Sequence, residues 1–173
     1  QRLNICSGEY KAKQYDHEVK GLSVAKPYTG VKNDVASDAT VSMVSPLSTD
    51  GVVLSAGLAP RYSDIDTYHM MASAIDIALR RTVAAGGSLE HAAGLDNFCW
   101  PDPVATPANP DGEYKLAQLV RANKALCEYT QAFGVPCISG KDSMKNDSTV
   151  GRRKISIPPT VLFSVVSRIE DVS

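Results

Sequence analysis

The amino-acid sequence predicts one α+β domain, in which a mixed and largely antiparallel sheet carries two main helices on one face. The length of 173 residues suits one domain, and 43% hydrophobic residues are enough for a packed core. Strand and helix patterns follow one another in the order strand pair, helix, strand, helix, strand, strand, which is typical of α+β or split βαβ folds.

The charge distribution excludes two classes of partner. Lys and Arg number 18 against 19 Asp and Glu, and neither sign forms a block. A nucleic acid or a membrane surface held by bulk electrostatics is therefore not expected. No apolar run approaches the roughly 18 residues that a membrane span needs.

The chain is expected to begin with a polar lead-in segment, residues 1–21, which is followed by the single domain, residues 22–173. The lead-in has no strong apolar period and predicts one short helix between Gly8 and Val19. Residues 31–37 are interpreted as a loop. Alternation and turn residues predict three strands in this part of the chain, at 22–25, 39–44 and 52–56.

Two amphipathic helices are predicted from three- and four-residue spacing. The first opens with Ser63 as its N-cap and Asp66 in its first turn, and it ends at Gly86. Its expected buried face is Tyr68, Met71, Ile75, Ala78, Leu79, Thr82 and Val83. The second starts near Pro110 and ends at Gly134. Its expected buried face is Leu116, Leu119, Val120, Leu126, Cys127, Thr130 and Phe133.

The remaining strands are predicted at 88–95, at 135–138 and at 155–169, the last interrupted by Pro158 and Pro159. The last strand is apolar on both sides of its pleat, more than a half-solvated strand requires. We therefore expect a second chain or domain to cover the other sheet face. Val161, Phe163 and Val165 are the residues expected to make that contact.

Polar residues follow two of these strands. Asp96 lies among apolar neighbours, where a carboxylate must be paired, hydrogen-bonded or functional, unless it caps a turn. The run from Ser139 to Ser143 resembles a phosphate loop but does not fit the Walker pattern, because five residues separate Gly134 from Gly140 and Asp142 stands where Ser or Thr is needed. The alternative is a solvated polar turn. Asp16 and His17 suggest an acid–base pair, with a structural surface pair as the alternative.

The four cysteines show no CxxC spacing and lie far from any histidine pair, which excludes a zinc site. We expect reduced, mostly buried thiols in a cytoplasmic protein. The chain begins with Gln1, and we expect it to be a fragment of something longer.

Four segments taken together, 14–19, 37–39, 95–100 and 134–143, resemble the phosphoribosylformylglycinamidine synthase family, also called formylglycinamide ribonucleotide amidotransferase. The resemblance is to the first domain of the second half of the synthase unit. It implies a fold like the N-terminal domain of aminoimidazole ribonucleotide synthetase. It also implies that the sheet pairs with a homologous domain to form a barrel.

The resemblance implies a ligase of purine biosynthesis with ATP and Mg2+ as cofactors. ATP phosphorylates the amide oxygen of formylglycinamide ribonucleotide, and glutamine-derived ammonia displaces the phosphate. The implied partners are the remaining synthase domains and a glutaminase domain or subunit. The family's catalytic histidine lies in the first half, so the fragment alone is expected to be inactive. Because the homologous domain that would cover its sheet is missing, the isolated fragment is expected to form a homodimer. His17 occupies a roughly pseudo-equivalent place.

Carried over by position, the resemblance assigns nucleotide binding to Asp96, Gly140 and Lys141, and substrate binding to Ser143. Lys141 stands where many relatives have a magnesium-binding asparagine, and a charged lysine would contact phosphate directly.

A second, structural nucleotide site of the long relatives is also implied, with Asp38 as a metal ligand. The companion Glu and Asn positions of that site are Ile77 and Arg81 in this chain. Two alternatives to the amidotransferase stay open: a nucleotide-binding scaffold domain without catalysis, and another synthetase of the superfamily, for aminoimidazole ribonucleotide or selenophosphate.

Overall fold

A computed structural model describes residues 7–14, 18–151 and 153–173 of the chain. The helices are α1 Glu9–Ala12, α2 Thr67–Ala84 and α3 Gly112–Phe133. The strands are β1 Ser23–Ala25, β2 Tyr28–Thr29, β3 Val35–Ala36, β4 Ala39–Met43, β5 Gly51–Leu58, β6 Ala92–Cys99, β7 Cys137–Ser143, β8 Asp147–Val150, β9 Arg153–Ser156 and β10 Thr160–Ile169.

The main sheet has six strands in the order β1-β4-β5-β10-β6-β7. Only the β6–β7 pair is parallel, and every other pairing in this sheet is antiparallel. Two small hairpins, β2–β3 and β8–β9, stand outside it. The predicted class, an α+β fold with a mixed and largely antiparallel sheet, is confirmed. The predicted loop over 31–37 is wrong in part, because Val35 and Ala36 pair with β2.

Helices α2 and α3 cover one face of the sheet, as predicted. Alternate residues of the central strand β10, Val161, Phe163 and Val165, are fully buried in one cluster with both helices. Burial of each such side chain contributes about 1.5–3 kcal/mol to folding. These three residues therefore face the helices, and their predicted contact with a partner is wrong.

The opposite sheet face, which we call the open face, carries the other set of alternating residues. Leu54 and Leu58 of β5 are exposed there, at 55% and 48% of their surface. Leu162 and Val166 of β10 are half-buried beside them, opposite Leu58 and Leu54 respectively. The prediction of apolar residues on both sides of this sheet is thus confirmed. The apolar residues of the open face are these four, and not Val161, Phe163 and Val165.

Helix α2 begins three residues later than predicted. Residues Pro60–Asp64 form a 3-10 turn, and the Ser63 hydroxyl donates to the carbonyl of Pro60. Asp66 is the actual N-cap, because its carboxylate accepts a hydrogen bond of 2.8 Å from the N–H of Tyr68. Arg121 of α3 also donates to Asp66, so the same cap ties the two helices together.

The predicted buried face of α3 is confirmed in part and wrong in part. Leu119 and Leu126 pack against the core, but Leu116 and Val120 are 47% and 63% exposed, and the fully buried residues of the helix are small or polar. Ala122 and Ala125 let α3 approach α2 closely, and Lys115 is buried at the start of the helix. Hydrophobic spacing alone misassigned the face because this contact uses small side chains.

Three of the four cysteines lie in the described part of the chain, and none of the three is in a disulfide. Cys99 is half-buried, but Cys127 and Cys137 are exposed, so the expectation of mostly buried thiols is wrong for these. Among the described helices, none is long and apolar enough to cross a lipid bilayer.

Candidate functional site

The residues predicted to bind nucleotide and substrate lie on the parallel strands β6 and β7, at one edge of the main sheet. Asp96 pairs in register with Gly140, and Asn97 pairs with Lys141. The sequence placed Asp96 at the end of a strand and 139–143 in a loop, yet both segments lie inside strands. This matters because neighbouring residues of a strand point to opposite sides of the sheet.

Asp96 lies on the helix-covered face, between Gly94 and Phe98 along β6. Burial raises the pKa of its carboxyl, and the nearby charge of Asp142 raises it further, while its own backbone N–H opposes the shift. Cys137 is part of the same surroundings, because desolvation of its thiol and the charge of Asp96 both raise its pKa. The carboxylate is thus held against its solvation preference, which is a feature of functional sites.

Gly140 is the residue that leaves room for this carboxylate. A Cβ atom built at Gly140 would lie 2.9 Å from Oδ2 and 3.0 Å from Oδ1 of Asp96. The backbone φ of Gly140 is not in the left-handed region, so close approach and not turn geometry accounts for glycine here. Any larger residue would press on Asp96 and close the space beside it.

Lys141 and Ser143 lie on the open face, on the other side of β7 from Asp96. The Lys141 ammonium donates a hydrogen bond to the Ser143 hydroxyl. Asn97 lies next to Lys141 in register, and its side-chain oxygen is buried without a hydrogen-bond partner in the described part of the chain. An unsatisfied buried acceptor of this kind requires an explanation, and a donor on a ligand is one.

The main chain at Ser143 is fixed by hydrogen bonds from Trp100, just after β6, and from Asn146, just after β7. The Ser143 carbonyl accepts from the N–H of Trp100 at 2.8 Å and from the Asn146 side chain at 2.6 Å. Asp147, just beyond, accepts from the N–H of Asp102 at 3.1 Å. These contacts hold the end of β7 rigidly, which favours a precise placement of the Ser143 hydroxyl.

A buried polar network fastens the β8–β9 hairpin next to this site. Asn109 is 3% exposed, and its side-chain oxygen accepts from Lys115 at 3.0 Å and from Lys154 at 2.8 Å. Lys154 also pairs with Asp147 at 3.1 Å, and Lys115 donates to Ser156 at 3.3 Å. The sequence pattern does not predict this network, since its members lie up to 47 positions apart and form no local motif.

Asp38 lies far along the sheet order from β7, before β4 begins. Its carboxylate pairs with the Arg81 guanidinium at 3.0 Å. The two residues line a cleft of about 280 Å³ in which Asp38 is the sole carboxylate. Throughout the described ranges, no group of three or more His, Cys, Asp or Glu side chains could hold a metal ion.

A larger cleft of about 820 Å³ was not anticipated from the sequence. It runs between residues 58–62 and α2, and its polar lining includes Arg61, His69 and Asp76. Ile77 also lines it. Residues Asp16 and His17, interpreted as a candidate acid–base pair, lie outside the described part of the chain.

No protein-family model matches the chain. It is 29% identical over 172 residues to the phosphoribosylformylglycinamidine synthase subunit PurL of Thermoplasma acidophilum, covering 99% of this chain and 21% of that protein. It is also 29% identical over 169 residues to the PurL subunit of Methanocaldococcus jannaschii, covering 98% of this chain and 21% of that protein.

Solved structures show the same fold. The structure of PurLQS from Thermotoga maritima superposes with a TM-score of 0.71 at 24% identity, covering 95% of this chain and 24% of that one. T. maritima PurL complexed with AMPPCP gives a TM-score of 0.69 at 22% identity, covering 98% of this chain and 25% of that one. Thiamine monophosphate kinase from Aquifex aeolicus gives 0.53 at 12% identity, covering 78% and 38%.

The structural neighbours thus confirm the predicted fold of the aminoimidazole ribonucleotide synthetase type. The chain spans 21% of the length of the curated relatives cited. Over nearly its whole length it is similar to one segment of them, and the predicted resemblance to PurL of the phosphoribosylformylglycinamidine synthase family is confirmed.

Proposed function

We propose that the domain forms one wall of the nucleotide and substrate site of an ATP-dependent phosphoribosylformylglycinamidine synthase. The observation that carries this proposal is the partly desolvated carboxylate of Asp96, which lies opposite Gly140 and forms no ion pair within the described part of the chain. Keeping a charged carboxylate at this partly buried position costs folding free energy, and a role in binding a nucleotide would account for its presence. PurL of T. maritima has been solved with ATP and with FGAR, which supports both ligand classes.

The two faces of β7 suggest how the ligands divide. Asp96 and the bare backbone at Gly140 bind the nucleotide on one side. Ser143, with Asn97 beside Lys141, binds formylglycinamide ribonucleotide on the open face. Lys141 follows Gly140 directly and its ammonium lies beside the Ser143 hydroxyl, so it can attract phosphate oxygens between the ligands.

The reaction proposed for the intact synthase has two steps. The amide oxygen of formylglycinamide ribonucleotide attacks the γ-phosphorus of ATP, releasing ADP and forming a phosphorylated imidate. Ammonia from a glutaminase domain or subunit then displaces phosphate and leaves the amidine. The residues of this chain bind and orient the two substrates, and the catalytic histidine belongs to another part of the synthase.

Magnesium fits this site as an ion carried by the nucleotide. Mg2+ is commonly bound by one or two carboxylates together with substrate phosphates. Asp96 and Asp142 supply two carboxylates on the same face, near enough for one charge to raise the pKa of the other group. Lys141 offers only donors and cannot be a ligand. When bound, the ion would neutralise phosphate charge during transfer.

The 173-residue chain by itself should not catalyse the reaction. It spans 21% of its relatives, so the other substrate walls and the proposed histidine are supplied elsewhere. The test is an assay for ADP and amidine formation with ATP, ammonia and formylglycinamide ribonucleotide, beside intact PurL of Thermoplasma acidophilum as the active control. ATP-dependent amidine formation by the chain alone would contradict the proposal.

The isolated chain should self-associate through its open face, in place of the homologous domain with which we propose this sheet pairs. Leu54 is the exposed centre of that face, and a two-fold contact would bury it twice. Sedimentation equilibrium should show a dimer, and Leu54→Lys should shift it to monomer. Val120→Lys, on the exposed side of α3, is the matched control and should leave the dimer intact. A monomer at all concentrations would refute the pairing.

A further inference from the structure

The cleft at Asp38 differs from a metal site in its charge. Asp38 is its single carboxylate, and Arg81 pairs with that carboxylate at 3.0 Å. The pair is therefore neutral. The two positions that the family resemblance assigns to further ligands hold Ile77, which has no donor atom, and Arg81, which is itself a cation.

Arg81 is fixed at this place by a second contact. Its other terminal nitrogen donates to the backbone carbonyl of Ala56 at 2.7 Å. The pairing of β4 with β5 starts at Ala39 opposite Ser55, so Ala56 lies just beyond the ladder and its carbonyl has no partner in β4. Arg81 satisfies this carbonyl, and its side chain is 39% exposed.

The turn that carries Asp38, whose side chain is 75% exposed, is held through Ser37. The N–H of Ser37 donates to the carbonyl of Pro27 at 2.9 Å, and the Ser37 hydroxyl donates to the carbonyl of Ala39 at 2.7 Å. The carboxylate therefore projects from a turn braced on both sides. A guanidinium meeting it in this geometry joins the turn, β5 and α2 through one side chain.

We propose that the Arg81 guanidinium takes the place of a divalent cation beside Asp38, so that this cleft binds no metal ion. An ion ligated by Asp38 would lie within a few ångströms of a permanent positive charge and would be repelled. Magnesium also requires oxygen ligands, and neither Ile77 nor Arg81 provides one. The charge that a metal would bring is thus supplied by the chain itself, independent of Mg2+ concentration.

The proposal is tested by Mn2+ binding to the 173-residue chain, followed by electron paramagnetic resonance with and without ADP. Wild type and Asp38→Asn should give the same binding curves in both conditions. The double variant Ile77→Glu/Arg81→Asn should gain one site, at least tenfold tighter than any in wild type. Adding Asp38→Asn to that variant should abolish the new site.

The matched control is Arg80→Asn, which removes the same charge from the next position, where Arg80 pairs with exposed Asp76. It should gain no Mn2+ site. Circular dichroism establishes that each variant is folded. Two results would overturn the proposal: Mn2+ binding by wild type that Asp38→Asn removes, or a folded double variant that gains no site. If the double variant does not fold, the comparison of wild type with Asp38→Asn decides alone.

Discussion

Gly57→Ala should destabilise the domain by more than about 3 kcal/mol, an overpacking effect at the upper end of the usual range. A Cβ atom at Gly57 would lie 1.9 Å from the carbonyl oxygen of Ala74 and 2.9 Å from the nitrogen of Ala78. Both are backbone atoms of α2, so no side-chain rotation relieves the overlap. The helix must move off β5, which opens the core that Ile75 and Leu79 fill.

The measurement is thermal and urea unfolding followed by circular dichroism. For a chain of this size, 3 kcal/mol corresponds to a fall in melting temperature of about 6–12 °C. Gly8→Ala is the control, since among the described residues its Cβ would meet only the Tyr28 hydroxyl, at an ordinary 3.5 Å. A Gly57→Ala protein as stable as Gly8→Ala would show that α2 is not packed on β5 as described.

Asp96→Asn should lower kcat/KM for ATP in the intact synthase by about 10- to 150-fold. This range corresponds to the roughly 1.5–3 kcal/mol that a hydrogen bond to a charged group is worth. Ser143→Ala should instead affect formylglycinamide ribonucleotide, by about 2- to 12-fold, because a neutral hydrogen bond is worth about 0.5–1.5 kcal/mol. Steady-state kinetics with each substrate varied in turn separates the two effects.

The stability of Asp96→Asn distinguishes a binding role from a structural one. Burial and Asp142 raise the pKa of Asp96 in the folded state above its ordinary value. Its ionised form therefore destabilises the fold: the penalty is full above that raised pKa, shrinks as pH falls through it, and is gone below the ordinary pKa of the unfolded chain. At pH 7 the asparagine variant should melt no lower than wild type. If ATP use falls only in proportion to a lower melting temperature, Asp96 is structural and our site assignment is wrong.

The sequence predicted the strands and helices well where hydrophobic periodicity matches burial. It failed for part of α3, because Ala122 and Ala125 make the close contact while Leu116 and Val120, predicted beside the correctly placed Leu119 and Leu126, face outward. Alanine contributes little to a hydrophobic pattern. When a helix packs closely through small residues, the spacing of its large apolar residues therefore does not show which side is buried. The cap of α2 was misplaced for a related reason, since Ser63 and Asp66 are both good caps and tertiary contact with Arg121 accompanies the second.

The candidate site was predicted in its residues but not in its arrangement. Resemblance selected Asp96, Gly140, Lys141 and Ser143, and polar residues after a short apolar run suggested a loop. Their parallel pairing with β6 depends on contacts between positions about 44 apart, which a local pattern cannot reveal. The Asp38–Arg81 pair was missed in the same way, because its two residues share no local motif.

The orientation of Gly140, Lys141 and Ser143 on β7 depends on whether the number of residues before them changes by an odd or an even number. Deleting one residue of β7 before Gly140 would place Lys141 on the helix-covered face, near Asp96, and Gly140 on the open face. The nucleotide-binding and substrate-binding residues would then lie on the wrong faces of the strand. Deleting two would restore every orientation. The chain already contains one such adjustment, since the β6–β7 register shifts between Gly94 and Leu95, where Ile138 has no partner. Relatives that differ in length at this point should therefore differ there by even numbers, or carry a compensating bulge.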